Sequence, residues 1–305
     1  VEGLHGRFVD EAQAQVGQLG DPALEAQLHE IFAMIYDVLG DYPRALDALL
    51  RFQAFCEQSG DIAGQALGSF RVGMLNSGLG NYLQALGWYD RALALYQQSD
   101  NAAGQARVLN SYCVDQTHLG NYEQAISCGW RSFAIFEAIG NRFGAGVALS
   151  SLGEAYTAAG EYDTALGQFQ RALGLLQERN QNLESHEAQE TLLAIGRLYN
   201  RKAEPDRALE YLLPVLATVQ SAQNHQSAYD CCRAIAEAYE AKGQFAEALA
   251  YYKQYAALKE TVLNEISLQK YQHLEVLHRT QQAIAEAERE RRLREDEQRH
   301  FEAVS

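Results

Sequence analysis

The residues with the clearest potential for metal chemistry run from His186 to Glu190, in the sequence His-Glu-Ala-Gln-Glu. Zinc hydrolases with a helical site of this kind need two histidines one turn apart, with the glutamate between them as general base. Here Glu190 stands where the second histidine is required, and the other histidines do not cluster at ligand spacing. No glycine-rich phosphate loop follows a strand pattern either. The sequence therefore predicts no catalytic residue, no metal site and no cofactor, and we expect that this chain is not an enzyme.

The cysteines are the other reactive candidates: Cys56, Cys113, Cys128, Cys231 and Cys232. They form no Cys-x-x-Cys pair and no even framework, which favours reduced, packed thiols over disulfides or a metal site. The N-terminus has no basic-then-apolar leader, and no apolar run approaches the length of a membrane span. A cytoplasmic location without membrane contact is therefore expected.

Composition narrows the fold class and the partners. The 305 residues are 47% hydrophobic and include only four prolines, which is typical of an all-helical protein with a continuous core. The formal net charge is −15, from 40 acidic and 25 basic residues. Binding to nucleic acid or to an anionic membrane needs a basic surface, so both classes of partner are disfavoured.

A six-residue pattern, Gly-x-Tyr-x-x-Ala, recurs at a fixed interval along the chain. It begins at Gly40, Gly80, Gly120 and Gly160, and a variant with phenylalanine begins at Gly243. The glycine suits the end of one helix, where a positive φ is needed. The Asn, Asp or Glu that usually follows can cap or charge-complement the next helix, and the alanine admits the partner helix closely. The pattern indicates a repeat solenoid with two helices in each repeat.

Upstream of the motif stands a small residue followed three positions later by tyrosine, as in Gly153 and Tyr156. Together with a downstream aromatic residue and Ala-Leu, this pattern resembles the tetratricopeptide repeat, in a longer form with a period of 40 residues. The resemblance implies an all-α, right-handed superhelical solenoid of about six repeats over residues 21–260. Residues 1–20 are expected to form an N-terminal capping helix, and residues 261–305 a long charged connector helix. The three residues that repeat five adds to the period are expected between Arg179 and Glu187.

The resemblance also implies a binding groove, because the first helix of each tetratricopeptide repeat faces the concave surface. The groove residues predicted from the register of each repeat are Phe70, Met74, Arg107, Asn110, His118, Glu154, Arg197, Asn200, Arg201 and Arg233. Phe70 and Met74 would hold an apolar anchor of a peptide. Arg107 with Asn110 resembles the polar pair that some family members use to hold a peptide backbone or a carboxylate. The alternative is that these side chains pack against the N-terminal helix or the next repeat.

A second resemblance lies in the charged C-terminal segment. Residues 274–283 resemble the connector of bacterial signalling proteins in which a tetratricopeptide sensor precedes a GGDEF diguanylate cyclase domain. That resemblance implies a regulatory region that binds a peptide, protein or small ligand and controls an output domain after Ser305. None of the cyclase motifs is present in this chain. The alternative is a free-standing adaptor that assembles protein complexes through its concave groove.

The same segment carries Ile266, Leu277 and Ile284 on one heptad stripe, which Lys270 and His273 interrupt. A stable coiled-coil seam needs nearly all such positions to be apolar. The pattern therefore predicts a weak parallel homodimer through the C-terminal helix.

Overall fold

The computed structural model describes residues 22–38, 41–177, 185–222 and 224–259, and every regular element within them is a helix. In chain order these are α1 (Pro22–Val38), α2 (Tyr42–Ser59), α3 (Ile62–Gly78), α4 (Tyr82–Gln98), α5 (Ala102–His118), α6 (Tyr122–Ala138), α7 (Arg142–Ala158), α8 (Tyr162–Gln177), α9 (His186–Arg201), α10 (Pro205–Ser221) and α11 (His225–Ala241). Residues 245–259 are also helical and are called α12. The predicted capping helix and the predicted connector, with Ile266, Leu277 and Ile284, lie outside the described residues.

Two compact units divide the chain inside α2. The described residues up to Phe55 belong to the first unit, and those from Cys56 onward belong to the second. In the second unit α3, α5, α7 and α9 each pack on the even-numbered helix that follows, and each also contacts the next odd-numbered helix. This is the arrangement of helical hairpins in a repeat solenoid, so the predicted all-α solenoid class is confirmed.

The turn within each repeat has the backbone conformation that the motif predicts. Gly80, Gly120, Gly160 and Gly243 all have positive φ, between 72° and 85°. In repeat five the same position is Ala203, which keeps a φ of 57° although it carries a Cβ. The turn geometry therefore persists where the glycine has been lost. Most of the interval in which the extra length of repeat five is predicted, residues 179–187, lies outside the described residues, and its last two residues belong to α9.

Helix capping follows the prediction at one motif and differs from it at two others. Asp41 Oδ1 accepts from the backbone N–H of Arg44 at 3.2 Å, whereas Asn81 and Asn121 make no side-chain capping hydrogen bond. Caps also occur between repeats, where Asn101 Oδ1 accepts from the backbone N–H of Gly104 at 2.8 Å and Asn141 Oδ1 accepts from that of Gly144 at 2.9 Å. The two asparagines differ in backbone conformation mainly at ψ. The φ angle is −86° at Asn81 and −85° at Asn101, whereas ψ is 53° at Asn81 and 85° at Asn101.

The motif alanines are packing positions, as predicted. Ala85, Ala125, Ala165 and Ala208 are fully buried at the contact between the two helices of their repeats. The motif aromatics are less uniform. Tyr82 stacks on His118 of the next odd-numbered helix with the ring centroids 4.8 Å apart, whereas Phe245 is 70% exposed. The described residues include no later odd-numbered helix that could cover Phe245.

Candidate functional site

Eight of the ten predicted groove residues line two cavities in the second unit. The first, which we call the apolar cavity, has a volume of about 410 Å³. It is lined by Phe70, Met74, Arg107, Asn110, Ser111, Phe136, Asn141, Phe143, Gly144, Val147 and Glu187. Most of these residues stand on α3, α5 and α7.

Phe70 and Met74 have different roles in the apolar cavity. Met74 is 45% exposed, whereas Phe70 is only 3% exposed because its ring packs against Tyr89 in the core. The expectation that both side chains project from the surface is therefore wrong for Phe70, which contributes part of the cavity wall from within the core. The Arg107 guanidinium lies 5.0 Å from the centre of the Phe70 ring, a distance suited to a cation–π contact.

Polar atoms at the apolar cavity remain available to a ligand. Asn110 Oδ1 is buried and accepts no hydrogen bond within the described part of the chain. Arg107 is exposed and forms no ion pair with any described residue. A buried carbonyl oxygen without a donor carries a free-energy cost that a ligand N–H would remove.

The second cavity, which we call the arginine cavity, has a volume of about 400 Å³. It is lined by Arg197, Asn200, Arg201, Pro205, Arg233, Ala234, Glu237 and Ala241, mostly from the C-terminal halves of α9 and α11. Asp230 lies between two of the arginines, with its carboxylate 3.5 Å from Arg197 and 3.4 Å from Arg233. Both separations exceed the roughly 2.7–2.9 Å of a strong charge-assisted hydrogen bond, so neither guanidinium is fully satisfied.

The hydrogen bonds of Asn200 and Arg201 leave ligand-binding capacity in the arginine cavity. Asn200 Nδ2 donates to the backbone oxygen of Ala234 at 2.7 Å, which holds the amide in place. Its Oδ1 is buried without a donor among the described residues, and so is Arg197 Nε without an acceptor. Arg201 donates to the backbone oxygen of Thr157 at 3.2 Å and has no carboxylate partner in the described ranges.

Glu154 and His118 lie outside the lining of both cavities. Glu154 is solvent-exposed, yet desolvation by the surrounding protein raises the pKa of its carboxyl, and Glu190 and Asp230 raise it further while Arg197 lowers it. The Glu154 carboxyl therefore interacts electrostatically with Arg197, which lines the arginine cavity. Burial lowers the pKa of His118, which keeps this imidazole neutral near pH 7 in its stack on Tyr82.

The sequence reasoning missed the residues that the turn before α7 adds to the apolar cavity. Asn141 caps α7 and Phe143 lies in its first turn, and both line the cavity. One signal was available, since Phe143 occupies the position at which the two preceding repeats have Ala63 and Ala103. An aromatic residue at a position that is small in the neighbouring repeats indicates a local function or a local change in packing.

Two family models of the tetratricopeptide repeat match the chain, one over residues 104–178 and one over residues 232–265. Tetratricopeptide repeats are recognised in this chain. Comparison of its sequence with curated proteins gives no significant match.

Solved structures of tetratricopeptide-type solenoids are similar in fold. A Rap protein complexed with Competence and Sporulation Factor has a TM-score of 0.63 at 14% identity, covering 87% of this chain and 82% of that one. The Rap conjugation gene regulator of plasmid pLS20, in complex with the Phr* peptide, has a TM-score of 0.60 at 13% identity, covering 80% and 76%. A signal-transduction ATPase with a tetratricopeptide repeat sensor, from Pyrococcus horikoshii, has a TM-score of 0.62 at 17% identity, covering 87% of this chain and 42% of that one.

The described residues contain no cluster of three or more histidine, cysteine, aspartate or glutamate side chains arranged to hold a metal ion. None of the described helices is both long and apolar enough to cross a membrane.

Proposed function

We propose that this chain is a peptide-binding regulatory scaffold, whose ligand lies on the odd-numbered helices and occupies both cavities. The observation that carries the proposal is the grouping of eight predicted groove residues into two cavities that retain unsatisfied polar atoms. Two Rap proteins of similar fold have structures with a bound factor or peptide, which supports a peptide as the class of ligand. Carbonyl oxygens such as Asn110 Oδ1 suit the repeating N–H groups of a peptide backbone.

The first test measures whether Arg107 and Arg197 bind ligand. A hexapeptide selected from a randomised pool is titrated by calorimetry against the parent chain, Arg107→Ala, Arg197→Ala and the control Arg171→Ala. Arg171 is an exposed arginine of α8 that donates to Gln168 and lies outside both cavities. We expect both cavity variants to retain helical circular dichroism, because half-exposed arginines contribute little to stability, and to bind the peptide more weakly than the control does.

Two results would contradict the proposal. If Arg107→Ala and Arg197→Ala unfold the protein, these arginines are structural partners rather than ligand contacts. If all three variants bind the peptide as the parent chain does, the ligand lies elsewhere on the molecule.

We also propose that the chain is the regulatory region of a cytoplasmic bacterial signalling protein, in which ligand binding controls an output domain after Ser305. A diguanylate cyclase of the GGDEF type is the output that the C-terminal resemblance favours. The signal-transduction ATPase supports the general arrangement, since the chain covers only 42% of that protein, and that protein is described as having a tetratricopeptide repeat sensor. The test is the full-length gene product, assayed for conversion of GTP to cyclic diguanylate with and without the selected peptide. A product without any catalytic domain would favour an adaptor instead.

We further propose that the chain forms a weak homodimer through Ile266, Leu277 and Ile284. Light scattering over a concentration series compares residues 1–305 with a chain that ends at Leu263. The longer chain is expected to associate and the shorter one to remain monomeric, because the shorter one lacks the heptad stripe. Equal association of both chains would place the contact in the repeats.

A further inference from the structure

We propose that the uncovered apolar face of α12 binds the same face of a second copy of this chain, so that the dimer seam begins inside the last repeat, at Phe245. This inference rests on the homodimer proposed above through Ile266, Leu277 and Ile284, and it adds the place where that seam starts. Three observations carry it: the exposure of the α12 face, the lack of a turn that would cover it, and the heptad spacing that joins it to the predicted stripe.

The outer face of α12 is exposed where the corresponding face of earlier even-numbered helices is covered. Phe245 is 70% exposed and Leu249 is 56% exposed. At the position of Phe245 in an earlier repeat, Tyr82 stacks on His118 of the next odd-numbered helix. At the position of Leu249 in the same repeat, Leu86 is half-buried against a core cluster to which α5 contributes. The exposed residues of α12 are therefore those that pack on the next odd-numbered helix in an earlier repeat.

The sequence offers no turn that would bring a further odd-numbered helix onto this face. In earlier repeats the turn after the even-numbered helix contains a residue with positive φ, such as Asp100 at 50° or Gly140 at 71°. The corresponding position after α12 is Leu263, a bulky residue for which positive φ is strongly disfavoured. Between Gln244 and Arg299 there is also no glycine and no proline. The next segment of the chain is therefore not expected to cover the face, which leaves it to a partner molecule.

Heptad spacing joins the exposed face to the predicted dimer stripe. Counting back from Leu263 in alternating steps of four and three residues reaches Lys259, Ala256, Tyr252, Leu249 and Phe245. Four of these five side chains are apolar or aromatic, and all five are exposed or half-buried. A two-stranded coiled coil buries the positions that recur at this spacing. A seam that includes Ile266 and Leu277 therefore reaches the α12 face without a change of register, which favours a second copy over an unrelated protein.

Contacts with α11 fix the orientation of the exposed face. Tyr255 stacks on Tyr229 of α11 with the ring centroids 4.6 Å apart, and their hydroxyl oxygens lie 3.1 Å apart. Tyr252, on the heptad stripe, donates from its hydroxyl to Glu240 at 2.8 Å. These contacts hold α12 on α11, which also lines the arginine cavity. The proposed seam and that cavity therefore lie on adjacent helices.

The α12 part of the seam is too short to hold a dimer by itself. Residues 245–263 cover about two and a half heptads, whereas a coiled coil is typically sustained over three to four. A chain that ends at Leu263 is therefore still expected to be monomeric. In the full chain, by contrast, a substitution on the α12 face should weaken the dimer.

The first test compares two exposed leucines of even-numbered helices in the full chain. Leu249→Gln changes the proposed seam, and Leu83→Gln changes a side chain of α4 that is 74% exposed. Glutamine has a helix propensity close to that of leucine, so both variants should fold as the parent chain does. In light scattering over a concentration series, Leu249→Gln should raise the dimer dissociation constant about tenfold or more, because the seam loses an apolar side chain from each copy. Leu83→Gln should leave the constant unchanged.

The second test locates the seam by cross-linking. Leu249→Cys and Leu83→Cys are oxidised in the full chain with copper phenanthroline, and the parent chain reports the background from its own five cysteines. In a parallel seam, position 249 of one copy meets position 249 of the other, so only Leu249→Cys should give a disulfide-linked dimer above that background.

The outcomes separate this inference from the homodimer on which it rests. Unchanged association of Leu249→Gln, an equal loss in both glutamine variants, or no cross-link at position 249 would overturn the assignment of α12 and leave the dimer through the later stripe standing. A parent chain that stays monomeric throughout the concentration series would overturn both.

Discussion

Gly153 illustrates how single residues set the packing of a repeat. A Cβ added at this position of α7 would come within 2.5 Å of the Phe169 ring on α8, and Phe169 is fully buried. At Gly87, on α4, an added Cβ would meet nothing within 4 Å. The two helical glycines therefore respond to the same substitution in opposite ways.

We expect Gly153→Ala to lower the free energy of unfolding by about 1–3 kcal/mol, because overpacking displaces Phe169. Gly87→Ala should raise it by about 0.5–1 kcal/mol, because alanine restricts the unfolded chain and favours the helix. Urea unfolding followed by circular dichroism measures both. Equal effects of the two substitutions would mean that the close contact between α7 and α8 does not limit the side chain at residue 153.

Asp115 is a fully buried acid on α5, a position where the other repeats have Leu75, Ala155, Leu198 and Ala238. Desolvation raises the pKa of its carboxyl to about 6, although Ser77 Oγ donates to Oδ1 at 2.6 Å and lowers it. The unfolded chain titrates near the ordinary value of about 3.9. Since the folded pKa is the higher one, the contribution of Asp115 to stability is present at low pH and is lost as pH rises through about 6.

Asp115→Asn should therefore raise the free energy of unfolding at pH 7 by about 1–2 kcal/mol, because it removes a buried charge. Near pH 4 the parent and the variant should be equally stable, since the carboxyl is then protonated in the folded state. Urea unfolding of both proteins at several pH values gives the difference. A stability difference that does not vary with pH would contradict the assigned pKa.

At the residue scale, the sequence predicted which positions face the cavities better than it predicted how each one packs. Arg107, Asn110, Arg197 and Asn200 follow from the repeat register, because the register fixes the face of each odd-numbered helix. The burial of Phe70 depends on its contact with Tyr89 from the neighbouring helix, and the repeat register alone does not predict that contact.

At the scale of elements, the two kinds of turn use their asparagines differently. Asn101 caps α5 through its side chain, whereas Asn81 precedes α4 without a capping hydrogen bond. We expect Asn101→Ala to cost about 1 kcal/mol of unfolding free energy and Asn81→Ala to cost clearly less. Thermal and urea unfolding of the two variants provide the comparison, and a larger loss for Asn81→Ala would show that the motif asparagine carries the cap.

Helix positions were predictable because the same turn and packing residues recur at a fixed interval. The glycine with positive φ ends one helix and the buried alanine positions the next, and both follow from residue type. Repeat five shows the limit of this reasoning, since Ala203 takes the turn conformation without glycine. Tertiary packing there, with Tyr199 and Ala208 buried on either side, replaces the local preference.

At the scale of the whole molecule, the odd-numbered helices have two tasks. They supply buried core residues such as Leu149 and Leu193, as the even-numbered helices do through Tyr89 and Phe169, and they also carry most of the cavity residues. Because α9 lines both cavities, a ligand bound to both would restrain α9 together with its neighbours α7 and α11. Such a restraint is a physical route from ligand binding to a regulatory response.

The most direct measurement of the central claim is hydrogen–deuterium exchange of the full chain with and without a saturating hexapeptide selected from the pool. Exchange reports local opening, and ligand contacts that stabilise a helix reduce it. We expect slower exchange in fragments that cover α7, α9 and α11, with little change in α4, α6 and α8. Slower exchange confined to the even-numbered helices would place the ligand on the other face and contradict a site on the odd-numbered helices.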